Sequence, residues 1–149
     1  MHKSKENSTV AILVIGNEIL SGKTQDVNVN FIAKRCIKLG HLLKEVRIIR
    51  DDKKQIIKTI KELSSKYTNV FSTGGIGPTH DDITAECMSK AFNKKLILNK
   101  TAHNLLKNYY KKTKIILNES RLKMAYLPAS SKLIKNSVSA APGFKIKNV

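Results

Sequence analysis

The sequence predicts an α/β fold, a mostly parallel sheet covered on both faces to give three α/β/α layers. Three observations predict it. Short apolar, β-branched runs recur at Thr9 to Ile15, Leu42 to Ile49 and Asn69 to Thr73. Stretches with apolar residues three and four apart lie between and after them, the spacing of one-sided helices. The two patterns alternate, as they do in parallel sheets with crossover helices.

Each element has its own signal. Thr9 to Ile15 reads as a buried strand that stops at Gly16. Asp26 or Asn28 caps a helix running to Leu39, with Val29, Ile32, Ala33, Cys36 and Ile37 on its apolar side. Gly40 provides the left-handed stop. Leu42 to Ile49 is the second strand. Asp51 or Asp52 caps the next helix, which carries Ile56, Ile57, Ile60 and Leu63 on one face. Asn69 to Thr73 is the third strand and ends in Gly74-Gly75. Ile83 to Phe92 reads as a helix and Leu96 to Leu98 as a short strand. Beyond Thr101 one helix is expected around Leu105 to Tyr110 and another from Asn118 to Tyr126, stopped by Pro128. Lys132 to Ile134 and Phe144 to Val149 are read as strands about a turn at Pro142-Gly143.

A length of 149 residues fits one domain with a sizeable core. Residues 1–8 are polar and are expected to form a disordered tail, leaving 9–149 as the domain. The tail lacks the apolar segment of a secretory signal, and no run is long enough to cross a membrane. Cys36 and Cys87 have no metal-ligand spacing and sit in apolar-periodic stretches, so they read as buried thiols in a reducing cytoplasm. The four histidines form no zinc-binding pattern. A formal charge of +17 invites a nucleic-acid reading. The lysines are scattered, however, and no base-reading motif accompanies them, which argues against a nucleic-acid partner. The charge is read as solvated surface that draws anionic small molecules.

In parallel sheets ligands bind beyond the carboxyl ends of the strands. Three loops leave those ends. The first, Gly16 to Thr24, contains Gly22-Lys23-Thr24, but five residues separate Gly16 from Gly22 where a phosphate-binding P-loop has four. Glu18 would also place a carboxylate where phosphate should sit. The third loop, Ser72 to Thr84, reads STGGIGPTHDDIT. Three glycines in four positions let the backbone approach a ligand closely, and the N–H groups of Gly75, Ile76 and Gly77 suit an anion. Thr79 adds a hydroxyl. Asp81 and Asp82 would repel phosphate unless one caps the helix or a Mg²⁺-like ion lies between. The second loop brings Asp51 and Asp52 to the same rim.

The stretch GGIGPTHDDIT closely resembles the signature of the molybdopterin-binding domain shared by MoaB/MogA proteins and the N-terminal part of CinA-type (competence/damage-inducible) proteins. IGNEILSG, QDVNVNFIAKRCIKLG, IIRDD, NESRLKMAYLP and NSVSAAPGF resemble the CinA branch in order, from about Val10 to Phe144. The resemblance implies a three-layer α/β fold. It implies a pterin or nucleotide ligand, a divalent metal such as Mg²⁺, self-association into a homo-oligomer, and hydrolysis of an ADP-ribose- or FAD-type pyrophosphate. By motif position Asp82 and Asp51 are the catalytic and metal-binding candidates, with Asp52 the near alternative. Gly74, Gly75, Gly77 and Thr79 match the anion cradle, and Gly16, Glu18 and Asp26 the opening loop. Alternatives are a non-catalytic ligand-binding module and a molybdopterin adenylyltransferase. Ser139-Ala140 replaces the usual Gly-Thr. The family domain usually continues past the equivalent of Val149 with a strand and a Pro-Gly-Val-Pro loop, so a domain shortened at its C-terminus is expected, with a partner subunit supplying the wall.

Overall fold

Three parallel strands form the central sheet: β1 (Thr9–Ile15), β2 (Leu42–Ile49) and β3 (Asn69–Thr73), in the order β2-β1-β3. The computed structural model describes residues 8–136 and 139–149. The central strand β1 is buried from Val10 to Ile15, as its unbroken apolar run requires. The expected tail lies outside the described residues except for Ser8. Its carbonyl accepts from the Leu42 N–H at 3.0 Å, and its hydroxyl lies 2.5 Å from His41 Nδ1.

Between β1 and β2 come a single turn, α1 (Asn17–Leu20), and helix α2 (Asn28–Lys38). Val27 is the N-cap of α2, and Asp26 just before it holds the helix entry: its Oδ1 accepts from the Val29 N–H at 2.8 Å. Gly40 closes the helix at φ +74°. Helix α3 (Lys53–Lys66) follows β2, and Asp52 caps it through the Gln55 N–H at 2.8 Å. The β1-to-β2 crossover moves outward on one side of β1; the β2-to-β3 crossover returns to its other side. Because such crossovers are right-handed, α2 and α3 lie on opposite faces of the sheet. That gives the three-layer arrangement expected from the alternating pattern.

The main core fills the α3 side. Leu13 and Ile15 meet Ile56, Ile60 and Leu63 of α3, together with Cys87 and Met88 of α4 (Thr84–Ala91). Each such fully buried side chain contributes roughly 1.5–3 kcal/mol. The α2 face is closed over β1, but Val46, Ile48 and Phe71 at its margins are exposed.

A second core lies beyond α4. The strand β4 (Leu96–Leu98) leads into α5 (Lys100–Thr113), capped by the Asn99 side chain. Ala102 and Leu106 of α5 pack with Met124, Ala125 and Leu127. Phe144 packs against both cores and joins them.

Two elements differ from expectation. The helix expected from Asn118 to Tyr126 is one turn, α6 (Glu119–Leu122), then a 3-10 turn over Lys123–Ala125 and the strand β5 (Tyr126–Pro128). Pairing with β4, Leu98 to Tyr126 and Leu96 to Pro128, supplies the reason: the β4 edge gains backbone partners, and the residue before a proline prefers extended backbone. Strand β6 (Lys132–Ile134) is as expected. Its partner β7 covers only Gly143–Lys145 instead of reaching Val149. The chain turns at Lys147, φ +51°, where Ile146 and Val149 exchange backbone hydrogen bonds. Asn148 then ties the turn to α3 by donating to the Ser64 and Tyr67 carbonyls, each at 2.9 Å.

Candidate functional site

The chain leaving β1 crosses to β2 by way of α2, whereas the chain leaving β3 enters α4 on the α3 side, so the loops leaving these adjacent strands diverge and open a crevice at their carboxyl ends. A cleft of about 490 Å³ lies there. It brings together Glu18 of the first loop, Asp51 of the second, and Gly75, Thr79, Asp81 and Asp82 of the third. Lys23 also faces it.

Backbone packing locks these loops to one another. The Gly16 N–H donates to the Ile49 carbonyl at 3.0 Å, and the Asn17 N–H donates to Asp51 Oδ2 at 2.8 Å. The first loop is therefore fastened to the end of β2. Gly74, at φ +92°, presses against β1 so closely that a Cβ would lie 1.9 Å from the Ile15 carbonyl oxygen. Thr84 pins the same loop from the helix side: its hydroxyl donates to the Gly74 carbonyl at 2.9 Å and its N–H to the Gly75 carbonyl at 3.0 Å. Gly75, at φ +65°, leaves no room for a side chain beside Thr84 Oγ1.

Asp82 closes the turn after the glycines. Its Oδ2 accepts from the Thr79 N–H at 2.8 Å and the Thr79 hydroxyl at 2.6 Å. Burial pushes the Asp82 carboxyl up. The Thr79 hydroxyl, the Gly77 and Thr79 N–H groups and the Lys123 charge outweigh that and hold it below the usual carboxylate range. A Cβ on Gly77 would sit 2.8 Å from Asp82 Oδ2, so glycine is what lets the carboxylate fold over the loop.

The sequence-predicted residues separate into three groups. Glu18, Asp51, Gly75, Thr79 and Asp82 line the cleft. Gly16, Gly74 and Gly77 shape it from behind: the Glu18 carboxylate lies against Gly16, Gly74 lies on Ile15, and Gly77 borders a smaller cavity beside Lys123. Asp52 caps α3 through Oδ1 and is absent from the cleft lining, which Asp51 joins. Asp26 is likewise committed at a helix entry, accepting from the Val29 N–H. Among the described residues no group of three His, Cys, Asp or Glu side chains converges in a metal-holding arrangement. Sequence reasoning missed Lys23 and Lys123. The ammonium of Lys123 donates to the Thr79 carbonyl at 2.8 Å across 44 residues of chain, a contact with no local signal.

Comparison with known proteins agrees with this architecture. Residues 11–145 match the family described as "Probable molybdopterin binding domain". A protein of Metallosphaera sedula is 40% identical over 139 residues, covering 93% of this chain and 52% of its own. One from Saccharolobus islandicus is 41% identical over 136 residues, covering 91% and 52%. The chain thus spans about half the length of these curated relatives. The crystal structure of CinA, a protein of unknown function from Thermoplasma acidophilum, superposes with a TM-score of 0.84 at 32% identity, over 91% of this chain and 80% of that one. The tungsten cofactor synthesizing protein MoaB from Pyrococcus furiosus shares the fold, with a TM-score of 0.56 at 18% identity, over 98% and 85%. Among the described residues no helix is long and apolar enough to cross a membrane. The chain belongs to the molybdopterin-binding (MoaB/MogA-like) domain family, on its CinA-type branch.

Proposed function

We propose that the cleft binds the pyrophosphate of a pterin or nucleotide ligand and, with a divalent cation, hydrolyses an ADP-ribose- or FAD-type pyrophosphate. The observation that carries this reading is the interlocked glycine loop at the switch point, facing carboxylates from three loops. Gly75 and its neighbours offer backbone close to the ligand, as an anion cradle needs. Glu18, Asp51, Asp81 and Asp82 would repel phosphate; Lys23 lines the cleft beside them, and the Lys123 charge acts on Asp82 from behind the loop. Hard oxygen donors suit Mg²⁺ or a similar ion. Asp51 and Asp82 would hold such an ion, although each already has one oxygen committed to the protein. When bound, it would draw negative charge off the pyrophosphate. Asp82 holds the loop in shape, and Asp51 presents a carboxylate from the opposite wall. The two buried free thiols fit a cytoplasmic setting.

The test is turnover of ADP-ribose and FAD with Mg²⁺, Mn²⁺ or Co²⁺, alongside calorimetric binding of the same ligands. Hydrolysis lost in Asp82→Ala supports the reading; full activity in that variant removes Asp82 from the mechanism. A second reading is a ligand-binding module without turnover. It is favoured by the lack of three converging metal ligands among the described residues, and binding without hydrolysis under every metal would select it.

A further inference from the structure

The turn from Pro78 to Asp82 borders the cleft outside both cores. Pro78, Thr79, His80 and Asp81 are exposed, and none contributes a side chain to either core. Polar contacts must hold it. Some are local: Asp82 Oδ2 accepts from the Thr79 N–H and hydroxyl, the Asp82 N–H donates to the Thr79 carbonyl at 3.2 Å, and His80 Nε2 lies 2.6 Å from Asp81 Oδ1. One more comes from the second core. Lys123 opens the 3-10 turn whose next residues, Met124 and Ala125, are buried there. Its backbone is therefore fixed, and its Nζ reaches the same Thr79 carbonyl at 2.8 Å. It approaches from the smaller cavity behind the loop, which it shares with Gly75, Gly77 and Asp82.

We propose that Lys123 is a positioning residue: its ammonium clamps the Thr79 carbonyl and so fixes the turn that shapes the glycine loop. An exposed lysine ion pair contributes little, because both partners stay hydrated and mobile. This contact differs, because its donor projects from a turn anchored in the second core and its acceptor is a backbone carbonyl, and a charged donor makes the stronger class of hydrogen bond. The consequence for ligand affinity rests on the reading of this loop as a phosphate cradle; the clamp itself does not.

Hydrogen exchange over residues 75–84 of the ligand-free chain tests the clamp. Lys123→Met should speed exchange there about tenfold or more with little change in melting temperature, and Lys123→Arg should restore the slow rate. Dissociation of ADP-ribose should accelerate in parallel. Unchanged exchange in Lys123→Met would overturn the proposal. Faster exchange in a chain whose wild type binds neither ADP-ribose nor FAD would leave the clamp standing and sink the ligand reading instead. If Lys123→Met does not fold, nitrogen relaxation of the wild-type lysine ammonium decides: restricted rotation supports the clamp, and free rotation refutes it.

Discussion

Asp51 Oδ2, just beyond the end of β2, accepts a 2.8 Å hydrogen bond from the backbone N–H of Asn17, just beyond the end of β1. One carboxylate thus joins two ligand loops and still faces the cleft. Its two duties separate by substitution. Asp51→Ala removes the acceptor and should cost about 1.5 kcal/mol, the low end for a hydrogen bond to a charged group because the contact is exposed. Asp51→Asn keeps an oxygen for Asn17 and should unfold close to the wild-type urea midpoint. If Asp51 acts in turnover through its charge, Asp51→Asn should still lose activity. A stable, fully active Asp51→Asn would confine the residue to fastening the loops.

Gly74 should be the least replaceable glycine of the cradle. Alanine there meets both a left-handed φ of +92° and the Ile15 carbonyl at 1.9 Å. Left-handed strain and overpacking together predict a loss of about 3 kcal/mol. Gly40, at φ +74° with nothing within 4 Å of its would-be Cβ, isolates the first contribution. Gly40→Ala should cost about 1 kcal/mol. Urea titrations of both variants check the difference, and equal losses would mean that the approach to Ile15 costs nothing.

The legible parts of this molecule are those written in neighbouring residues. The runs Leu42–Ile49 and Asn69–Thr73 carry their own strand signal, and their bounds agree with the structure. Gly74-Gly75 after β3 announces a tight loop because few other residues accept those φ values. Asp51 and Asp52 are chemically identical neighbours, and only the approach of Asn17 tells the cleft residue from the cap. The Asn118 to Tyr126 segment has a helical start, but its second half follows a partner strand some thirty residues upstream. Lys123 is one lysine among many in the sequence, and its reach to Thr79 exists only once both cores are packed.

The two thiols should be inert in the native chain. Burial pushes Cys87 up to about 11 and Cys36 upward as well, so little thiolate forms at pH 8, and thiolate is the reactive form. Alkylation by iodoacetamide, followed by mass spectrometry, should label neither cysteine until denaturant is added. Rapid labelling of Cys87 without denaturant would show that the α3–α4 core opens far more readily than its complete burial implies.

Acid stability should depend on Glu45, on β2. Tyr67 donates its hydroxyl to Glu45 Oε2 at 2.5 Å, Arg47 contacts Oε1, and Lys66 lies 3.1 Å from Oε2. These contacts hold the Glu45 carboxyl at about 2, against an ordinary value of 4.5. A carboxyl depressed in the folded state binds its proton more readily when unfolded, so acid favours unfolding. The stabilisation is complete above about pH 4.5 and is lost as pH falls from there toward 2. Asp82 and Glu86 shift in the same direction and add to the slope. Glu45→Gln should therefore lower the urea midpoint at pH 7 and flatten its decline between pH 4.5 and 2. Parallel curves for variant and wild type would show that the Glu45 contacts do not persist in solution.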